Sequence, residues 1–267
     1  MARIGLVAGY GKLPVIFSKI AKAKGDTVIA FGLKGATGEE LAQYVDKMHW
    51  LNWGEFQKAI FLLATERINK IIMLGKIQKD LLFKNDLALD EKAKNVLDKL
   101  KDRKDYSILN EVGKVLGKFG IEVIDSTTYL KDLIPEKGVL TRRAPSAEET
   151  ENISYGMEIA RELARFDIGQ TVIVKDKTVI ALEAVEGTDN TILRAGDLTK
   201  GGFIVVKTAR PNQDMRFDVP LIGLDTINKV VETGGKVLAL ESGRTLLIDK
   251  AEMIKLADEN GVAIVIV

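Results

Sequence analysis

Short apolar runs alternate with helically spaced segments along the first half of the chain. RIGLVAG is the first run, and KLPVIFSKIAKAKG follows with apolar residues at helical spacing, Pro14 at an early helical position and Gly25 as a stop. DTVIAFGL predicts a second strand, EFQKAIFLLATERI a helix and NKIIMLGKI a third, buried strand. Asp90 to Asp105, DEKAKNVLDKLKDRKD, reads as a charged helix with a solvated face. NEVGKVLGKFG then leads to IEVID, a fourth strand. Strands separated by helices predict a parallel α/β sheet with covered faces.

The texture changes around residues 131 to 147, where Pro135 and Pro145 mark a connector. SAEETENISYGMEIARELARF then predicts a helix opened by a capping box, Ser146 with Glu149 three residues on. QTVIVKD, TVIALEAVEG and GGFIVVKTA are short strands, the first two joined by a hairpin turn over Lys175 to Thr178. A last helix, KAEMIKLADENG, precedes a closing strand, VAIVIV. The expected fold is α/β: a Rossmann-like parallel-sheet domain over residues 1–134, then an α+β domain over 135–267.

Composition narrows the chemistry. Among 267 residues, 39 basic and 38 acidic side chains leave a net charge of +1, so nothing points to nucleic acid. No apolar run approaches the ~18 residues of a spanning helix, and MARIGLVAGYG lacks a cleavage pattern, so the expectation is a cytoplasmic protein. Peripheral membrane contact stays open, because surface binding leaves a weaker trace. The absence of cysteine removes thiolate catalysis, disulfides and Cys-rich zinc sites. The one histidine, His49, sits beside Trp50 and Trp53 and reads as packing. Any metal would take oxygen ligands, which favours hard ions such as Mg²⁺.

Four stretches carry candidate chemistry. GLVAGYGKLP puts Gly9 and Gly11 between the first strand and helix, where backbone N–H groups either cradle a phosphate or merely turn a tight corner. Pro14 in place of a third glycine, and no acid after the second strand, argue against a dinucleotide. In EGTDNTILRAGDL, Thr188 or Asp189 caps a helix from Asn190, or Glu186, Thr188 and Asp189 meet a metal at a strand end, with Arg194 as a phosphate donor. KTARPNQDMRFD supplies Lys207 and Arg210 just before NQDMRFDVP. Taken as an extended segment, that last stretch turns Asp214, Arg216 and Asp218 to one face and Met215, Phe217 and Val219 to the other. It is either an edge strand with neutralised charges or a site in which two carboxylates hold a cation or a water and a guanidinium is aimed at an anion; alone it supports both.

Together GLVAGYGKLP, DIGQ (Asp167 to Gln170), EGTDNTILRAGDL and RPNQDMRFDVPLIGLDTI resemble, in order and spacing, the UDP-2,3-diacylglucosamine pyrophosphatases of the LpxI type. The resemblance spans essentially the whole chain. It implies a Mg²⁺-dependent (or other divalent-dependent) hydrolase of lipid A biosynthesis that cleaves a nucleotide-linked acylated sugar to UMP and 2,3-diacylglucosamine 1-phosphate. It also implies a homodimer, working in the cytoplasm or peripherally at the inner membrane. Asp218 matches the position regarded as catalytic, with Asp214 and Arg216 beside it. Asp218, Asp214 and Asp189 are the implied metal ligands, and Gly9, Gly11, Gln170, Thr188, Arg194, Lys207 and Gln213 the implied substrate contacts. Tyr10 and Arg210 depart from the family's common residues. A diphosphatase of another nucleotide sugar, or a non-catalytic binder of a nucleotide-linked lipid, is the alternative.

Overall fold

RIGLVA forms β1 (Arg3–Ala8), the middle strand of a five-stranded sheet in the computed structural model. The structure describes residues 1–76, 89–98, 100, 105–211, 213–217 and 219–267. Their contacts divide into two units, Met1–Lys131 with Asp214–Asp218, and Asp132–Gln213 with Val219–Val267.

In the first unit β1 leads to α1 (Leu13–Ala23), which has Pro14 in its first turn and Gly25 at φ +85° past its end. β2 (Thr27–Leu33), β3 (Lys47–Leu51), α2 (Phe56–Thr65) and β4 (Lys70–Leu74) follow. Next come α3 (Glu91–Asp98), α4 (Asp105–Gly117), β5 (Glu122–Val123) and α5 (Thr127–Leu130). The strand order is β3-β2-β1-β4-β5 with every neighbour parallel, the Rossmann-like sheet expected.

One expectation changes here. NKIIMLG is the fourth strand, because KMHWL forms β3 at the sheet edge; its residues are mostly half-exposed, so no clean alternation marked it. In the charged stretch 90–105 a helix spans Glu91–Asp98 and another begins at Asp105; residues 99 and 101–104 lie outside the described residues. His49, on β3, stacks on Phe31 and lies 2.8 Å from Glu66 Oε1.

The glycine loop joins the chain after β1 to the end of β4, where the strand order reverses. Gly9 N–H donates to Leu74 O at 2.8 Å, and Tyr10 and Lys76 exchange backbone bonds of 2.9 and 2.8 Å. A methyl group on Gly9 would stand 2.6 Å from Lys76 O, so close backbone approach demands glycine there. Gly11, at φ +109° in open space, needs glycine for its conformation instead.

The second unit holds β6 (Gly138–Val139), α6 (Ala147–Arg165), β7 (Thr171–Lys175), β8 (Thr178–Leu182) and α7 (Thr188–Thr199). β9 (Ile204–Lys207), β10 (Leu221–Ile222), α8 (Leu224–Glu232), β11 (Val237–Leu240), β12 (Leu246–Leu247), α9 (Lys250–Glu259) and β13 (Ala263–Ile266) complete it. Its main sheet runs β6-β13-β11-β9-β7-β8, parallel through β13, β11 and β9 and antiparallel elsewhere. Alternate strand residues feed two cores. Val172, Val174, Ile204 and Val206 pack with Ile153 and Met157 of α6 on one face. Ile173, Val205, Leu238 and Leu240 pack with Ile192, Ile227 and Met253 of α7, α8 and α9 on the other. Burial on both faces explains why these strands read as unbroken apolar runs.

The capping box forms as expected, Glu149 N–H to Ser146 Oγ at 3.1 Å and Ser146 N–H to Glu149 Oε2 at 2.8 Å. Asp176 and Lys177, at φ 51° and 55°, make the two-residue turn between β7 and β8. Among the described residues no helix is long and apolar enough to cross a membrane.

Candidate functional site

Lys207 ends β9, and antiparallel pairing sets Thr171, the first residue of β7, opposite it. Glu183 follows β8, with its N–H on Thr171 O at 2.9 Å. α7 begins at Thr188, two residues before the expected Asn190; its cap is Gly187 at φ 79°, with no side-chain capping bond. Neither Thr188 nor Asp189 is therefore the cap, and the Thr188 hydroxyl turns to the strand ends. There it donates to Glu183 Oε1 at 3.1 Å and accepts from Lys207 Nζ at 2.8 Å. Lys207 Nζ also reaches Thr171 Oγ1 at 3.3 Å and lies 3.8 Å from Glu183 Oε2, which takes the Gln170 N–H at 3.1 Å.

This cluster is a buried ammonium and a partly buried carboxylate bridged by hydroxyls. Lys207 and Glu183 side chains are 8% and 13% exposed. Burial pushes the Glu183 carboxyl up. The Lys207 charge and bonds from Thr171, Gln170 N–H and Thr188 outweigh it and hold the group below the usual carboxylate range. The Gln170 side-chain oxygen is buried and has no hydrogen-bond partner among the described residues. Three expected substrate contacts, Gln170, Thr188 and Lys207, thus meet in one place. Sequence reading missed Glu183 and Thr171, because their adjacency depends on the β7–β9 and β7–β8 registers.

Other candidates point elsewhere. Asp189 Oδ1 accepts from Thr226 Oγ1 of α8 at 2.8 Å. Arg194 is held by Glu186 at 2.6 Å and Leu182 O at 2.8 Å. Arg210 Nε pairs with Asp167 at 2.6 Å, and its N–H donates to Gln213 Oε1 at 3.1 Å.

Within the stretch read as an extended strand, Asp214 to Phe217 form a turn instead. Phe217 N–H donates to Asp214 O at 3.0 Å, and Asp214 Oδ1 takes the Arg216 N–H at 3.1 Å. A carboxylate that captures the amide two residues on favours a turn over a sheet ladder. The same carboxylate receives Arg216 Nε at 2.9 Å and Nη2 at 2.7 Å, a bidentate pair. The guanidinium bond holds Asp214 below the usual carboxylate range against the opposing effect of burial. Arg216 also lies over the Phe217 ring at 4.7 Å and lines a cavity of about 630 Å³ with Lys70, Asp125 and Thr128. Asp218 and Asn212 lie outside the described residues.

Carboxylate, hydroxyl and amide oxygens are the donors a hard divalent ion takes. Among the described residues no group of three or more acidic or histidine side chains could hold a metal ion. Asp214 is engaged with Arg216, and Asp189 with Thr226.

Comparison with known proteins agrees with this two-part architecture. Residues 3–133 match the LpxI N-terminal domain and residues 136–265 the LpxI C-terminal domain. Over 272 aligned residues the chain is 28% identical to the UDP-2,3-diacylglucosamine pyrophosphatase LpxI of Caulobacter vibrioides, covering 98% of this chain and 96% of that protein. Among solved structures, the biotin carboxylase subunit of pyruvate carboxylase aligns at 14% identity over 65% of this chain and 35% of its own, with a TM-score of 0.29. A biotin carboxylase of Campylobacter jejuni gives 12%, 75%, 43% and 0.29, and at such scores neither bears on function. The two domain matches together span nearly all of the chain, which belongs to the LpxI family.

Proposed function

We propose that the chain hydrolyses the diphosphate of UDP-2,3-diacylglucosamine, releasing UMP and 2,3-diacylglucosamine 1-phosphate for lipid A biosynthesis. The observation that carries this reading is the end-to-end relationship to a pyrophosphatase of that name. The site chemistry supports it. Water adds to the sugar-side phosphorus, the anhydride P–O bond breaks, and the bridging oxygen leaves with UMP. Asp218 takes the proton from the attacking water, and Arg216, oriented by Asp214, neutralises the phosphoryl oxygens as charge shifts to the leaving group. Lys207 and Thr188, with the N-terminus of α7, favour an anionic substrate group.

A divalent ion, Mg²⁺ or another hard cation, belongs to this proposal, with Asp218 as a carboxylate that would hold it. It would supply Lewis-acid charge for the phosphoryl oxygens. The proposal extends to a cytoplasmic homodimer that meets its lipid-linked substrate at the membrane surface.

Hydrolysis in ¹⁸O-labelled water with Mg²⁺ tests the reaction and its direction together. The label is expected in the sugar 1-phosphate and not in UMP. Label in UMP would place attack on the nucleoside phosphorus. Tight binding without turnover would favour a carrier, and turnover confined to other UDP-sugars a different diphosphatase.

A further inference from the structure

The acid-bearing motif lies in the C-terminal half of the sequence, yet Asp214–Asp218 belongs by its contacts to the N-terminal unit, while Gln213 and Val219 belong to the other. The chemistry of that seat is specific. Phe217 packs against the apolar core of the first unit, alongside Val112, Val115, Leu116 and Val123. Beneath its ring sits Gly113 of α4: a methyl group placed there would stand 3.5 Å from Phe217 Cζ. A larger side chain at 113 would occupy the space the ring fills.

Polar contacts fix the same turn. Ser126 N–H donates to Met215 O at 3.2 Å, and Ser126 Oγ lies 3.3 Å from Met73 O and 3.5 Å from Arg216 O. Ser126 is fully buried at the start of α5 and joins the end of β4 to the turn. The turn is closed internally by the Asp214–Arg216 pair and the Phe217 N–H bond.

We propose that Phe217 is a positioning residue: its ring, seated on Gly113, fixes on the N-terminal unit the turn that orients Arg216 and immediately precedes Asp218. The role in turnover rests on the hydrolase reading above; the seat itself does not. The inference assigns to Gly113 and Ser126 an influence on the reaction that their distance in sequence from every acidic motif would hide. Phe217 itself acts through its neighbours and touches no reacting atom.

Two readouts test it on the full-length protein. One is hydrogen exchange of the Arg216 and Phe217 amides; the other is kcat and KM for UDP-2,3-diacylglucosamine. Phe217→Ala and Gly113→Leu are expected to speed exchange over residues 213–217 by about tenfold or more. They should also lower kcat by about tenfold or more, with KM within about threefold. Phe217→Leu keeps an apolar plug, and Gly113→Ala places its methyl at ordinary contact distance, so both should stay within about threefold of wild type in both readouts. Protection of β1 and β4 is the control for folding. If Gly113→Leu loses it, Phe217→Ala against Phe217→Leu decides. Unchanged exchange and unchanged kcat in Phe217→Ala overturn the proposal, as does an equal loss of kcat in the alanine and leucine variants. If wild type fails to turn over this substrate while Phe217→Ala still frees the turn, the seat stands and the hydrolase reading falls.

Discussion

Lys207 Nζ stands 2.8 Å from the Thr188 hydroxyl, and that contact joins the end of β9 to the first residue of α7. Glu183 accepts a hydrogen bond from the same hydroxyl, so a buried cation and a partly buried anion share one threonine. An arrangement of this kind is stable only when complete, because either charge left alone would be buried without compensation.

Lys207→Met should therefore destabilise the protein by about 2–4 kcal/mol, as Glu183 loses its countercharge in a largely buried place. Urea unfolding at neutral pH measures this. Thr188→Val, which removes the bridge and keeps both charges, should cost less, about 1–2 kcal/mol. Equal stability of Lys207→Met and wild type would mean that Glu183 finds water instead.

A second charged centre sets an acid limit. Glu66 is bonded to Lys47, His49 and Arg3, and these partners lower its pKa to about 2 from 4.5. A carboxyl depressed in the folded state contributes stability that is fully present above the unfolded value and is lost as pH falls through the folded one. The loss should run from about pH 4.5 down to about pH 2. Unfolding free energies of wild type and Glu66→Gln should differ at pH 7 and converge across that window. A constant difference from pH 7 to pH 2 would contradict the assignment.

The glycine loop separates two reasons for glycine. Gly9→Ala drives a methyl to 2.6 Å from the Lys76 carbonyl, backbone against backbone, and should destabilise by about 2 kcal/mol or more. Gly11→Ala meets no atom but must hold φ near +109°, at a cost of about 1–3 kcal/mol. In thermal melts Lys76→Gly should rescue neither variant, since the Gly9 obstacle is a backbone carbonyl; rescue of Gly9→Ala would place the obstacle in the Lys76 side chain.

Much of the fold was legible because single residues act locally. Pro14, Gly25, the Ser146–Glu149 box and the Asp176–Lys177 turn each declare a boundary through their own backbone chemistry. Strand β3 was not, because its half-exposed residues carry no alternation. The Asp214–Phe217 turn mimics a strand in sequence: the charges two apart that suggested one face of a sheet meet because Asp214 bends the chain to reach Arg216. Gln170 and Thr188 were singled out through the family resemblance and Lys207 by its place before the acidic motif, while the adjacency of Glu183 and Thr171 needed the strand register that one sequence does not reveal.

The most direct test of the account is UMP release from UDP-2,3-diacylglucosamine with Mg²⁺ or with chelator, comparing wild type and Asp218→Ala. The predicted result is release that chelator abolishes and that the substitution lowers by about a thousandfold or more, as expected for loss of a group acting in the transition state. Release undiminished in Asp218→Ala, or no release by folded wild type, would contradict it.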